Sequence, residues 1–109
     1  MNKFEVIWTK NAQLDLESII EYIKIDSVTI AKKIFFEIKK ECENLHYFPE
    51  RKRVVPELQQ IGISKYREII YGKYRIIFKI DNLKIYVLLV VDSRRNLEDI
   101  LFQRLIDKK

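Results

Sequence analysis

Apolar and polar residues change their period several times along the chain, and each change marks an element. Phe4-Glu5-Val6-Ile7-Trp8 alternates closely enough to predict a first strand. Thr9 is a good helix N-cap, and after it apolar residues recur at Ala12, Leu16, Ile19, Ile20 and Ile23. That 3.6-residue spacing predicts an amphipathic helix, with Asp15, Glu17 and Glu21 facing water. A break at Asp26-Ser27 lets Ser27 cap a second helix. Its stripe runs Ile30, Ile34, Ile38 and Leu45, flanked by Ala31, Phe35 and Cys42, and it ends before Pro49. Two long helices joined by so few residues predict an antiparallel helical hairpin.

From His46 to Ser64 the period disappears. Pro49, Pro56, Gly62 and the cluster Arg51-Lys52-Arg53 predict one long loop, a kind of segment that often carries function. Tyr66–Tyr71 and Tyr74–Ile80 then read as two strands joined by Gly72-Lys73, and glycine in first place fits a II′ turn. Such a turn sets Tyr71 against Tyr74, Ile70 against Arg75 and Glu68 against Ile77. Alternation places Arg67, Ile69, Tyr71, Tyr74, Ile76 and Phe78 on one face. Glu68, Ile70, Arg75, Ile77 and Lys79 fall on the other. We expect the helices to cover the Arg67 face, with a carboxylate partner for Arg67, and Arg75 to look into an open groove.

After an Asp81-Asn82 turn, the apolar run Ile85–Val91 predicts an interior strand buried on both faces. Leu97, Ile100, Leu101 and Leu105 predict a short C-terminal helix. The order β-α-α-β-β-β-α defines an α+β fold. Its expected form is a mostly antiparallel four-stranded sheet packed by the N-terminal helical hairpin.

Composition narrows the class. The 109 residues are 48% apolar with only two Gly and two Pro, so residues 1–109 are expected to form a single domain. Cys42 stands alone within a helical pattern, which points to a reducing, cytoplasmic setting. No window reaches membrane-spanning length, and the stretch Met1-Asn2-Lys3-Phe4-Glu5 lacks a signal peptide's apolar centre. No cluster of His, Cys and carboxylates has ligand spacing, so neither metal nor cofactor is expected.

Net charge is +5, and it is segregated. Residues 1–50 hold seven Lys, no Arg and nine acids, whereas residues 51–109 hold seven Lys, seven Arg and seven acids. Every arginine therefore falls in the second half. Arginine's planar fork grips phosphate or carboxylate bidentately, so this half offers either a solvated basic surface or a face for nucleic acid or an acidic protein segment.

Four local motifs in order carry a resemblance. The run Asp15-Leu16-Glu17-Ser18-Ile19-Ile20-Glu21-Tyr22-Ile23 opens the series. It is followed by Leu45, Phe48-Pro49, Arg53 and Val55-Pro56-Glu57-Leu58, then by the paired Tyr66-Arg67-Glu68-Ile69-Ile70 and Tyr74-Arg75-Ile76-Ile77-Phe78, then by Arg94-Arg95. Together they resemble the RelE/ParE superfamily of toxins from type II toxin–antitoxin systems, and the ParE-like plasmid-stabilisation branch more closely. The resemblance spans nearly the whole chain. It implies a cognate antitoxin that wraps the helices and fills the basic groove, a heterotetramer with that antitoxin, and DNA gyrase as the target, reached by protein contact. RelE-like relatives instead cut mRNA on the ribosome, which requires a base, an acid and cations at the phosphate.

One departure bears on that choice. Many relatives carry His-Gly before the paired arginines, where this chain has Asp92-Ser93. The sole histidine, His46, ends the second helix, where it suits a surface or capping role. Its absence near the last strand favours the gyrase reading over the ribonuclease. A non-toxic basic RNA-binding module is the remaining alternative.

The site residues follow from these readings. Arg53, Arg75, Arg94 and Arg95 are expected to bind antitoxin or target. In a ribonuclease Arg75 would hold the phosphate, and Glu57, Glu68 or a tyrosine such as Tyr74 would move protons. The structural alternatives are a pair between Arg75 and Glu68, Glu57 anchoring its loop onto Arg53, and Tyr66, Tyr71 and Tyr74 serving as packing. Lys32-Lys33 and Lys39-Lys40 belong to the solvated side of the second helix.

Overall fold

The computed structural model describes residues 3–107, with side chains as far as Arg104; Met1, Asn2 and the expected core role of Leu105 lie outside them. Strand β1 covers Glu5–Trp8, helix α1 Lys10–Lys24 and helix α2 Val28–Glu43. Both caps form as their residue types dictate. The Thr9 hydroxyl accepts from the Ala12 N–H and donates to the Val87 carbonyl, and the Ser27 hydroxyl accepts from the Ile30 N–H.

The segment expected as one loop is more ordered than its lack of period suggests. A 3₁₀ turn (Asn44–His46) leads into it, and it holds a second 3₁₀ turn (Pro49–Arg51), a two-residue strand β2 (Arg53–Val54) and one turn of helix α3 (Pro56–Gln59). Strands β3 (Tyr66–Tyr71), β4 (Tyr74–Asp81) and β5 (Lys84–Asp92) precede helix α4 (Leu97–Asp107). The sheet among the described residues therefore has five strands rather than four, in the order β1-β5-β4-β3-β2. It is mixed: β1 runs parallel to β5, and the other pairs are antiparallel. Two residues of β2 were too few to leave an alternation in the sequence.

The hairpin register is the expected one, with Tyr71 opposite Tyr74, Ile70 opposite Arg75 and Glu68 opposite Ile77. Gly72 takes φ 56° at the first turn position, the conformation for which glycine is suited. The two sheet faces carry separate cores. On one face α1, α2 and the 3₁₀ turn after α2 cover Ile69, Ile76, Phe78, Ile85, Val87 and Val90 with Leu16, Ile38 and Leu45, which lies past the end of the second helix. On the other, Val55 and Leu58 of the α3 segment and Leu97, Ile100 and Leu101 of α4 cover Ile77, Leu89 and Val91.

A β-bulge reconciles these faces with the sequence of β5. Ile77 pairs with Leu89 but Phe78 pairs with Val87, so Leu88 is the extra residue. Before it, Ile85 and Val87 face the helical hairpin; after it, Val90 does, while Leu89 and Val91 turn to the second core. Burial on both faces makes the run read as apolar throughout, and the bulge decides which residue meets which core.

Two expectations about α1 and α2 need correction. Ile30 is 52% exposed rather than part of the buried stripe. Asp15 does not face water. It sits three residues after buried Ala12, so it shares that helix face, and its carboxylate accepts from the Val90 N–H at 3.1 Å.

Candidate functional site

Arg75, the second residue of β4, points to the face opposite the helical hairpin, as parity requires. It does not meet an open groove. The α3 segment closes over it, and Arg75 is only 7% exposed. Its Nε donates to Glu68 Oε1 at 2.8 Å, and its Nη1 and Nη2 donate to both oxygens of Glu57 at 2.8 Å each. Glu68 in turn accepts from Arg53 Nε at 2.6 Å. Two cations and two carboxylates thus form one neutral, hydrogen-bonded chain from β2 through β3 and β4 to α3.

The electrostatics follow from that geometry. The Arg75 hydrogen bonds hold the Glu57 carboxyl down to about 2, against the opposing effect of partial burial. The same pairing with Glu57 raises the guanidinium pKa of Arg75, so the cation is fixed. A carboxylate this strongly ionised is a poor proton donor or acceptor near neutral pH. Tyr74 lies on the helix-facing side at 6% exposure, and burial raises its hydroxyl pKa.

The arrangement corrects two pairings. Glu57 clamps Arg75 and not Arg53, and Arg53 pairs with Glu68 instead. Arg67 takes a backbone carbonyl rather than a carboxylate, its Nη1 donating to the Lys52 oxygen at 2.6 Å.

Arg53 and Arg75 are therefore brought together, while Arg94 and Arg95 stand outside the network beyond the end of β5. Arg94 folds back on Asp92, donating from Nε at 3.0 Å and Nη2 at 2.8 Å, with its own N–H also bound at 2.9 Å. Those bonds hold the Asp92 carboxyl down to about 2. Arg95 borders a cavity of about 250 Å³ shared with Asp15, Leu89, Gln103 and Arg104.

Two polar clusters lie outside the sequence expectations. Arg104 of α4 donates to both oxygens of Asp15 at 2.6 and 2.7 Å and to the Leu88 carbonyl at 3.0 Å. Asp15 on the apolar stripe of α1 was the available signal. His46 is the second. Its Nδ1 lies 2.8 Å from the Phe4 carbonyl and its Nε2 3.0 Å from Glu43. Both partners are acceptors, so the ring serves both at once only when protonated, and the bond to Phe4 raises the pKa. Cys42 is inert by contrast, its thiol pushed up to about 12 by burial.

No group of metal-binding side chains occurs among the described residues, and no described helix is long and apolar enough to cross a membrane.

The fold is shared with solved toxin–antitoxin proteins. A chain of the chromosomal ParDE system from P. aeruginosa superposes with a TM-score of 0.68 at 17% identity, covering 83% of this chain and 96% of that one. A chain of the toxin–antitoxin complex RelBE2 from Mycobacterium tuberculosis superposes with a TM-score of 0.59 at 20% identity, covering 83% and 98%. At such identities the likeness concerns the fold. No curated protein sequence matches. The family model of the ParE toxin of the type II toxin–antitoxin system parDE matches residues 6–97, well over half the chain. This chain belongs to the ParE toxin family of type II toxin–antitoxin systems.

Proposed function

We propose that the chain arrests growth by binding DNA gyrase, without catalysis of its own, and that a cognate antitoxin restrains it. The observation that carries the non-catalytic half of this reading is the clamp on Arg75. Every proton-transfer candidate of a ribonuclease site beside it is engaged or enclosed: Glu57 is held ionised, the Glu68 side chain has no exposure, and Tyr74 is in the core. A substrate phosphate would have to displace Glu57 from a bidentate bond to reach the guanidinium. His46, the one imidazole, is occupied at both nitrogens. The gyrase half rests on the ParE family itself.

The test uses the purified chain in two assays. Inhibition of gyrase supercoiling, with no cutting of mRNA on translating ribosomes, is the expected result. Ribosome-dependent mRNA cleavage with gyrase unaffected would instead make the chain an mRNA interferase, and the Arg75 clamp would then have to open during its cycle. Growth arrest on induction, relieved by coexpressing the antitoxin, tests the toxin reading as a whole.

A further inference from the structure

The segment between α2 and β2 runs from one edge of the sheet to the other, and both its ends are pinned. At the β1 edge the Phe4 N–H donates to the His46 carbonyl at 3.2 Å, and His46 Nδ1 returns to the Phe4 carbonyl. At the β2 edge Arg67 holds the Lys52 carbonyl. Between the pins Pro49 is buried, but Tyr47 and Phe48 are 48% and 50% exposed.

Phe48 is the unusual residue. Its backbone sits at φ 55°, ψ 49°, the left-handed region that a bulky side chain enters only against steric resistance. Strain of this kind usually persists where the surrounding structure needs the conformation. Here it places an aromatic ring in water rather than in either core. Arg51 lies with its guanidinium carbon 4.4 Å from the centre of that ring, and it makes no ion pair among the described residues. The stacking orders a cation that would otherwise be flexible and leaves its N–H groups available.

We propose that Tyr47, Phe48 and Arg51 form a contact ridge for the toxin's protein target, meeting a carboxylate and an adjacent apolar side chain on that target. The inference rests on the toxin reading above and adds the surface and the chemistry of the contact. Exposed tyrosine and arginine on a pre-ordered backbone are the residue types that dominate protein interfaces once water is excluded. A nucleic acid fits less well. One face of the Phe48 ring already carries Arg51, and the Tyr47 ring stands edge-on to His46 at 6.3 Å.

Two substitutions test the ridge. Phe48→Gly removes the ring and relieves the left-handed strain, so its melting temperature should hold or rise. Arg51→Glu reverses the charge at an exposed position. Both are expected to weaken growth arrest on induction by at least about tenfold in plating efficiency, as loss of an interface anchor does, while soluble yield stays unchanged. Variants that arrest growth as strongly as the wild type overturn the ridge and leave the toxin reading intact. A wild type that leaves growth unaffected removes the toxin reading, and the target contact with it. If the wild type binds a short single-stranded RNA in fluorescence anisotropy and Phe48→Gly abolishes that binding, the partner class proposed here is wrong.

Discussion

Arg67 and Arg75 follow tyrosine in two nearly identical strand segments, yet they meet opposite surroundings, because strand parity sends them to different faces. That split is legible in the sequence, since the period of two belongs to the backbone itself. The partner of Arg75 is not legible: Glu57 lies 18 residues away in a segment with no hydrophobic period. The clamp has measurable consequences. Arg75→Ala leaves the Glu68 carboxylate in a dry site with Arg53 alone, and we expect a loss of about 3 kcal/mol in urea unfolding. Acid sensitivity should also follow Glu57. Its folded pKa is depressed, so its contribution is complete above the ordinary value of 4.5 and is lost as pH falls through about 2. Glu57→Gln should therefore flatten the fall of melting temperature in that window. His46 has the opposite sign: its raised pKa makes the tie to Phe4 strongest below its ordinary 6.5, and the tie weakens as pH rises through the folded value. The protection of the Phe4 amide hydrogen, measured against its intrinsic base-catalysed exchange rate, should fall over the same rise.

The helices and the hairpin could be read from the chain because each repeats its signal over several turns or pairs. Strand β2 and helix α3 could not, since two and four residues carry no period. The bulge at Leu88 is a third kind of case. It shifts the phase of β5 between two buried faces, so the unbroken apolar run shows an interior strand without showing which residue meets which core. The bulge also marks where β5 loses its neighbour: β1 stops at Trp8, opposite Val87. Beyond that point two side chains do the work of a strand. Arg104 donates to the Leu88 carbonyl, Asp15 accepts from the Val90 N–H, and the two bind each other. Asp15→Ala should cost about 2 kcal/mol, for lost hydrogen bonds to partly buried groups. It should also speed exchange of the Val90 amide more than that of amides facing β4.

At the scale of the molecule, the sheet is buried on both faces, so the open groove anticipated beside Arg75 is replaced by a second core. The covering element α4 spans Leu97–Asp107, whereas the family match ends at residue 97. Removing residues 97–109 would uncover Leu89 and Val91 together with the free edge of β5, and we expect a chain that aggregates rather than one with a loosened end. Size-exclusion chromatography of the truncated protein checks this directly.

The same edge sets an order of events during synthesis. Asp15 emerges early and the Leu88–Asp92 edge much later, but Arg104 is made after both. A chain cut short between the two keeps an adhesive border with nothing to close it, open to pairing with a second copy.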